Sequence, residues 1–104
     1  MKVIFFNPQV KNDLYSLDKI PLDKCLRLID LLRMFGNKLS MPYSKKISAN
    51  LYELRVRGQQ EIRIFYCFYQ DKAVIVYHFI KKSQKTPRKE IKIALSRIAV
   101  LTPI

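Results

Sequence analysis

The alternation of apolar and polar positions in the first third of the chain predicts a strand followed by two helices. Residues 3–6 are apolar and β-prone, and Asn7-Pro8 is typical of a helix start, with Asn7 as N-cap and Pro8 at the first helical position. A second helix begins near Pro21 and stops at Gly36-Asn37. Its apolar residues recur at helical spacing and form one face: Leu22, Cys25, Leu26, Ile29 and Leu32.

The second half of the chain changes to a period of two. Residues 38–50 are interpreted as an irregular or briefly extended connection, and 52–56 then alternate as a half-buried strand. The segment 62–69 is apolar on both sides except at Arg63, which indicates a central strand. A third strand covers 73–80, with turns at 57–60 and 70–72. Thr86-Pro87 starts a last helix with this buried face: Ile91, Ala94, Leu95 and Ile98.

These elements follow one another in the order β-α-α-β-β-β-α. The simplest architecture for that order is an α+β fold of two layers, in which an antiparallel sheet carries the helices on one face. With 104 residues the chain has the length of one domain, so we predict a single domain over 1–104.

The excess of positive charge limits the classes of molecule that the protein is expected to bind. Twenty Lys and Arg against eight Asp and Glu give a net charge of +12. Such a field attracts nucleic acid, an anionic membrane or an acidic protein. A membrane partner is the weakest of these, because the apolar stripes are accounted for as core and no apolar run approaches the roughly 20 residues of a span. The apolar run at 3–6 is also too short for a signal peptide, so we expect a cytoplasmic protein.

The cysteines and the single histidine point away from metal and redox chemistry. Two cysteines, Cys25 and Cys67, are too few for a disulfide framework and are expected to pack in the core as free thiols. One histidine, His78, and two distant cysteines offer no ligand set with recognisable spacing, and two glycines make no phosphate-binding loop. No metal and no cofactor are expected.

The candidate chemistry lies on the sheet face that the helices leave open. If Tyr52, Leu54 and Val56 face the helices, then Arg55 and Arg57 face away, together with Arg63 and the basic loop 81–85. Cations there can meet phosphates, while Phe65 and Tyr69 can stack on unpaired bases.

Two of these candidates carry a structural alternative. Arg63 is costly in an apolar strand unless it faces an open groove or forms an ion pair, for which Glu53 is the candidate partner. His78 is a catalytic candidate, although a lone histidine in a strand is more often packed in the core.

Three segments resemble the phage-derived HigB-like toxins of the RelE superfamily. They are LYELR at 51–55, IRIFY at 62–66 and HFIKKSQKTP at 78–87, followed by Glu90, Ile91 and Ala94. The resemblance implies a RelE-like fold, ribosome-dependent mRNA cleavage and neutralisation by a HigA-like helix-turn-helix antitoxin. It matches these residues to basic positions of the family: Arg55, Arg63, Lys81, Lys82 and, less closely, Lys85. The tyrosine that some members carry near the C-terminus has no counterpart here, since no tyrosine follows Tyr77.

These inferences combine into a metal-independent endoribonuclease hypothesis. RNA supplies the 2′-hydroxyl nucleophile, Arg63 grips the transition-state phosphate and Arg55 positions the backbone. Lys81 and Lys82 hold phosphate or move a proton, and His78 completes the catalytic set. The predicted RNA-binding residues are Lys85, Arg57, Lys45, Lys46 and Tyr69. In this hypothesis, Arg63→Ala abolishes cleavage and leaves the fold intact.

Two other functions remain compatible with the sequence. A basic module can sit on RNA without cutting it, and a toxin on the same fold can act on DNA gyrase, as the ParE branch of the superfamily does. New RNA ends on translated messages after brief expression, or loss of gyrase supercoiling, separate the three.

Overall fold

A five-stranded sheet with helices on both of its faces forms the fold in the structure, a computed structural model that describes residues 1–101. Residues 102–104 of the predicted domain lie outside the described part. The strands are β1 (Lys2–Phe5), β2 (Ser44–Ser48), β3 (Leu51–Val56), β4 (Glu61–Tyr69) and β5 (Lys72–Lys81). The helices are α1 (Pro8–Tyr15), α2 (Lys19–Phe35) and α3 (Arg88–Leu101), with a short 3-10 helix at Gly36–Lys38.

The strands lie in the order β1-β5-β4-β3-β2, with β1 parallel to β5 and every other pair antiparallel. The α+β class and the order of the predicted elements are confirmed. One strand was missed, because β2 lies inside the 38–50 connection. Its sequence, SKKIS, is too polar to show a strand period, and lysines are typical of an edge strand that must not pair further.

Local signals at the helix ends act as the sequence predicts. The side chain of Asn7 accepts a hydrogen bond from the Val10 N–H at 2.8 Å and so caps α1, with Pro8 following it. At the end of α2, Gly36 takes a φ of 55°, a left-handed conformation that glycine adopts without a steric penalty. The first cap fixes where α1 begins, and the second fixes where α2 ends.

The two faces of the sheet are covered by different helices. The α1/α2 face packs Ile62, Ile64 and Tyr66 of β4 against α1 and α2, whereas the α3 face packs Phe65 and Cys67 against α3. The expectation that all helices lie on one face is therefore wrong for α3. Its physical reason is visible in β4, whose apolar residues point to both sides and so need cover on both.

Both cysteines are core residues on opposite faces of the sheet, as free thiols. Burial raises the pKa of the Cys25 and Cys67 thiols to about 11, so both stay protonated and unreactive near neutral pH. No helix within residues 1–101 combines the length and the apolar character that a bilayer crossing requires.

Candidate nucleic-acid site

Strand register collects charged side chains at one end of the α3 face. Lys45 lies opposite Glu53, Arg55 opposite Arg63, and Glu61 opposite Lys81. Alternation from Phe65 places these pairs on the α3 face, beyond the part that α3 covers. We call these residues the charged cluster: Lys45, Glu53, Arg55, Glu61, Arg63 and Lys81.

Arg63 is the buried centre of the charged cluster. Its side chain is 2% exposed, with Nε 3.1 Å from Glu53 Oε1 and Nη2 3.3 Å from Glu61 Oε1. Nη1 donates to the Ile62 carbonyl at 3.2 Å. The ion pair with Glu53 that the sequence left open is present. The expectation that Arg63 faces an open groove is wrong, because two carboxylates hold its guanidinium below the surface.

Arg55 is the cluster's available guanidinium. It is half-buried, and no carboxylate of residues 1–101 forms an ion pair with it. Nη1 contacts the Met41 Sδ at 3.5 Å, and Nε is buried without a hydrogen-bond partner in the described chain. A thioether sulfur is a weak acceptor, so an arriving phosphate would be a far stronger partner for Arg55.

Lys81 has a pKa below the usual lysine value. Burial and then the charge of Arg63 lower the pKa of Lys81, as does Arg55, while Glu53 and Glu61 partly oppose them. A lowered pKa increases the share of the neutral amine at a given pH, and the neutral amine is the form that can accept a proton.

Glu61 is a member of the site that the sequence analysis missed, because its position beside a turn gave no signal. Burial alone would raise the pKa of Glu61. The hydrogen bonds from the Gly58 N–H and Arg63, with the charges of Arg63 and Arg57, lower it below its usual value. Glu61 therefore stays ionised and forms ion pairs with two arginines, Arg57 and Arg63.

The other predicted residues are divided between the two ends and faces of the sheet. Lys82 and Lys85 are exposed in the segment after β5. Arg57 is exposed and pairs with Glu61 at 3.1 Å. Lys46 lies on the α1/α2 face with its ammonium 5.9 Å from the centre of the Tyr52 ring. Tyr69 ends β4 at the far end from the cluster.

His78 is not brought into the charged cluster. It lies opposite Ile64 and so belongs to the α1/α2 face. Burial lowers the pKa of His78, and the charge of Asp13 on α1 opposes this only in part. The neutral imidazole is thus the form that the fold favours. Within residues 1–101 no three His, Cys, Asp or Glu side chains lie close enough to hold a metal ion.

The depressed pKa of His78 has a consequence for stability. The unfolded chain binds the proton at a higher pH than the folded chain. The His78 contribution is therefore complete above the usual histidine pKa of about 6.5 and is lost as pH falls through the folded value. Urea unfolding of the wild type and of His78→Phe at pH 8 and pH 5 measures this. We expect a smaller loss of stability at pH 5 for the variant, and an equal loss in both proteins would contradict the assignment.

A groove beside the cluster contains further cations that the sequence did not single out. Lys24 and Arg27 of α2 line it together with Arg55 and Arg57. Both α2 residues flank the apolar stripe of that helix, which is the only sign of them in the sequence. Their approach to β3 depends on how α2 packs on the sheet.

The sequence matches the model of a known protein family. The family described as "Phage derived protein Gp49-like (DUF891)" matches residues 12–99, which include all of the charged cluster. No curated protein matches the chain in sequence.

Solved structures similar to this chain have the RelE-like fold. The archaeal RelE–RelB complex from Pyrococcus horikoshii matches with a TM-score of 0.58 and 19% identity, over 76% of this chain and 92% of that one. A YoeB–YefM complex from Staphylococcus aureus matches with a TM-score of 0.57 and 17% identity, over 80% and 97%. A heterotetrameric YoeB–YefM toxin–antitoxin complex from the same organism gives 0.56 and 18%, over 80% and 97%.

Proposed function

The chain belongs to the phage-derived Gp49-like protein family, and from this premise we propose that it is the toxin of a type II toxin–antitoxin module and cleaves mRNA on the ribosome. The observation that carries the proposal is the charged cluster, where Arg55 has no carboxylate partner within residues 1–101 and lies near a lysine of lowered pKa. The RelE-like fold and the net charge of +12 support it, as does the toxin–antitoxin complex among the similar structures.

The proposed reaction uses the RNA's own 2′-hydroxyl and requires no metal ion. Lys81, in its neutral form, removes the 2′-hydroxyl proton, and the oxygen attacks the adjacent phosphorus in line. Arg55 stabilises the charge that develops on the phosphoryl oxygens. The bond from phosphorus to the 5′-oxygen breaks, and Lys82 supplies the proton that the leaving oxygen takes up. The products are a 2′,3′-cyclic phosphate and a 5′-hydroxyl end.

Arg63 has a positioning role in this proposal. Its charge lowers the pKa of Lys81, and its ion pairs hold Glu53 and Glu61 in place within the cluster. Lys45, Arg57 and Lys85 bind flanking phosphates. His78, Lys46 and Tyr69 lie away from the cluster and take no part.

The proposed setting is the one that the resemblance to HigB-like toxins implies. The protein acts in the cytoplasm on mRNA within translating ribosomes, as a single domain over 1–104, and a HigA-like helix-turn-helix antitoxin neutralises it. No membrane takes part.

Mapping RNA 5′ ends after a brief pulse of expression tests the proposal. We expect new ends inside translated messages, and we expect them to disappear when translation initiation is blocked before the pulse. Ends that persist without translation would remove the ribosome from the proposal, and an absence of new ends would remove cleavage.

A second candidate is an RNA-binding module without nuclease activity. It is favoured by the burial of Arg63 and by the position of His78 on the opposite face, because neither can contact RNA at the cluster. This candidate predicts slowed translation with intact messages in the same experiment.

A further inference from the structure

We propose that the groove between α2 and the C-terminal end of β3 binds one unpaired nucleotide of the RNA strand, next to the phosphate at the charged cluster. We call it the α2–β3 groove, and its volume is about 370 Å³. It is lined by Lys24, Arg27, Leu28, Pro42, Tyr43, Arg55, Val56 and Arg57. This inference rests on the proposed function and adds a base-binding subsite to it.

The charges around the α2–β3 groove fit a polyanion. Half of its lining residues are cations and none is acidic. Lys24, Arg27 and Arg55 form no ion pair with any carboxylate of residues 1–101, whereas Arg57 shares Glu61 with Arg63. Three cations without a counterion around one small groove repel each other, and an entering phosphate relieves that repulsion.

The wall of the groove offers a surface for a base. Tyr43 is 45% exposed, and Pro42, Leu28 and Val56 add apolar surface to the same groove. The Tyr43 carbonyl accepts a hydrogen bond from the Arg55 N–H at 2.8 Å, which ties the backbone of Tyr43 to that of Arg55. An exposed aromatic ring and guanidinium groups in the lining of one groove are the combination that binds an unpaired base with its phosphate.

Arg55 links the groove to the charged cluster. Arg55 is a lining residue of the α2–β3 groove and also lies opposite Arg63 in the sheet. A nucleotide in the groove therefore places its phosphate at the edge of the cluster where cleavage is proposed.

The strand can continue beyond this nucleotide. A larger groove of about 640 Å³ shares Lys24 and Val56 with the first and is also lined by Gln59 and Gln60. The Lys24 ammonium lies over Gly58 at the boundary, since a Cβ at Gly58 would be 2.7 Å from Lys24 Nζ. Amide side chains such as those of Gln59 and Gln60 can hydrogen-bond to base edges.

An acidic protein segment would also be attracted by these cations. The observations favour RNA, because the flat face of a base can stack on an exposed tyrosine ring and an apolar wall. Acidic side chains gain no binding energy from either surface. The acidic segment is therefore an outcome that the test must be able to reveal.

The test is a fluorescence titration of the full chain with a labelled single-stranded RNA hexamer that carries 2′-O-methyl groups, so that binding is measured without cleavage. Tyr43→Ala is expected to raise Kd about 5- to 100-fold through loss of base stacking, and Tyr43→Phe should stay near the wild type. Arg27→Ala is expected to reduce the slope of log Kd against log salt by about 0.7 through loss of one phosphate contact.

Two matched controls remove the same groups elsewhere. Tyr15 on α1 has an exposed fraction of 46%, close to that of Tyr43, and Arg33 lies on α2 outside the groove. Tyr15→Ala and Arg33→Ala are expected to leave Kd within about twofold, with no loss of stacking.

Three results would overturn the groove inference. They are equal effects of Tyr43→Ala and Tyr15→Ala, no saturable RNA binding by the wild type, and binding of a poly-glutamate peptide that depends on Tyr43 and Arg27 while RNA does not bind. Cleavage is measured separately, by end mapping. RNA binding in the groove without new RNA ends would overturn the nuclease proposal but not the groove inference. New RNA ends together with groove variants that bind RNA like the wild type would overturn the groove inference but not the nuclease proposal.

Discussion

Arg63→Ala is expected to lower the free energy of unfolding by about 3–5 kcal/mol, a large part of the total stability of a small domain. The reason is that Glu53, only 3% exposed, would keep a buried carboxylate without its ion-pair partner. Urea unfolding followed by circular dichroism measures the change. The sequence-based expectation that this variant leaves the fold intact is thereby replaced, and Arg63→Ala is a poor test of catalysis.

Two further variants separate the buried ion pair from the general effect of removing charge. Arg57→Ala removes an exposed arginine that pairs with Glu61, which is also a partner of Arg63. This variant should lower the free energy of unfolding by less than about 1 kcal/mol. The double variant Glu53→Leu with Arg63→Met removes both buried charges and should recover much of the loss. A change below about 1 kcal/mol for Arg63→Ala itself would show that the pair contributes little.

Lys81→Ala is expected to slow mRNA cleavage on the ribosome by about 10²- to 10⁴-fold, the usual range for removing a general base. Lys81 is partly exposed and forms no ion pair with a carboxylate of residues 1–101, so the fold should survive the substitution. A reconstituted translation reaction with one defined message gives the single-turnover rate. A rate within threefold of the wild type would exclude Lys81 as the base.

The pH profile of the same reaction adds a readout that a structural role would not change. Burial and the charge of Arg63 lower the pKa of Lys81, so the neutral amine gains population as pH rises. The wild-type rate should therefore increase with pH and level off above that pKa. Lys81→Arg keeps the charge but cannot lose its proton, and it should show no such rise.

The elements that carry local signals were predictable from the sequence. The Asn7-Pro8 start of α1 and the Gly36 end of α2 depend on neighbouring residues alone, and so do the alternation of β3 and the apolar run of β4. The side on which α3 packs is a long-range property, although the apolar residues on both sides of β4 were a sign that both faces need cover. β2 gave no period because an edge strand rich in lysine is polar on either side.

The charged cluster was predictable only in part. Alternation placed Arg55 and Arg63 on one face, and that placement is confirmed by their direct pairing in the sheet. Sequence could not decide between an open groove and an ion pair for Arg63, because burial depends on Glu53 and Glu61 from two strands. The α2–β3 groove could not be predicted from the sequence either, because α2 contributes half of its cations and the packing of α2 on the sheet is a long-range property.

The proposed cleavage requires RNA to bind at the charged cluster on the α3 face. The most direct measurement compares three proteins in the reconstituted cleavage reaction: the wild type, Arg55→Ala with Lys81→Ala, and Arg33→Ala with Lys46→Ala. Each double variant removes two cations, but the second pair lies outside the cluster. The account predicts at least about 100-fold slower cleavage for the first variant and a rate near the wild type for the second. Equal rates for the two double variants would contradict it, because cleavage would then depend on total charge and not on this site.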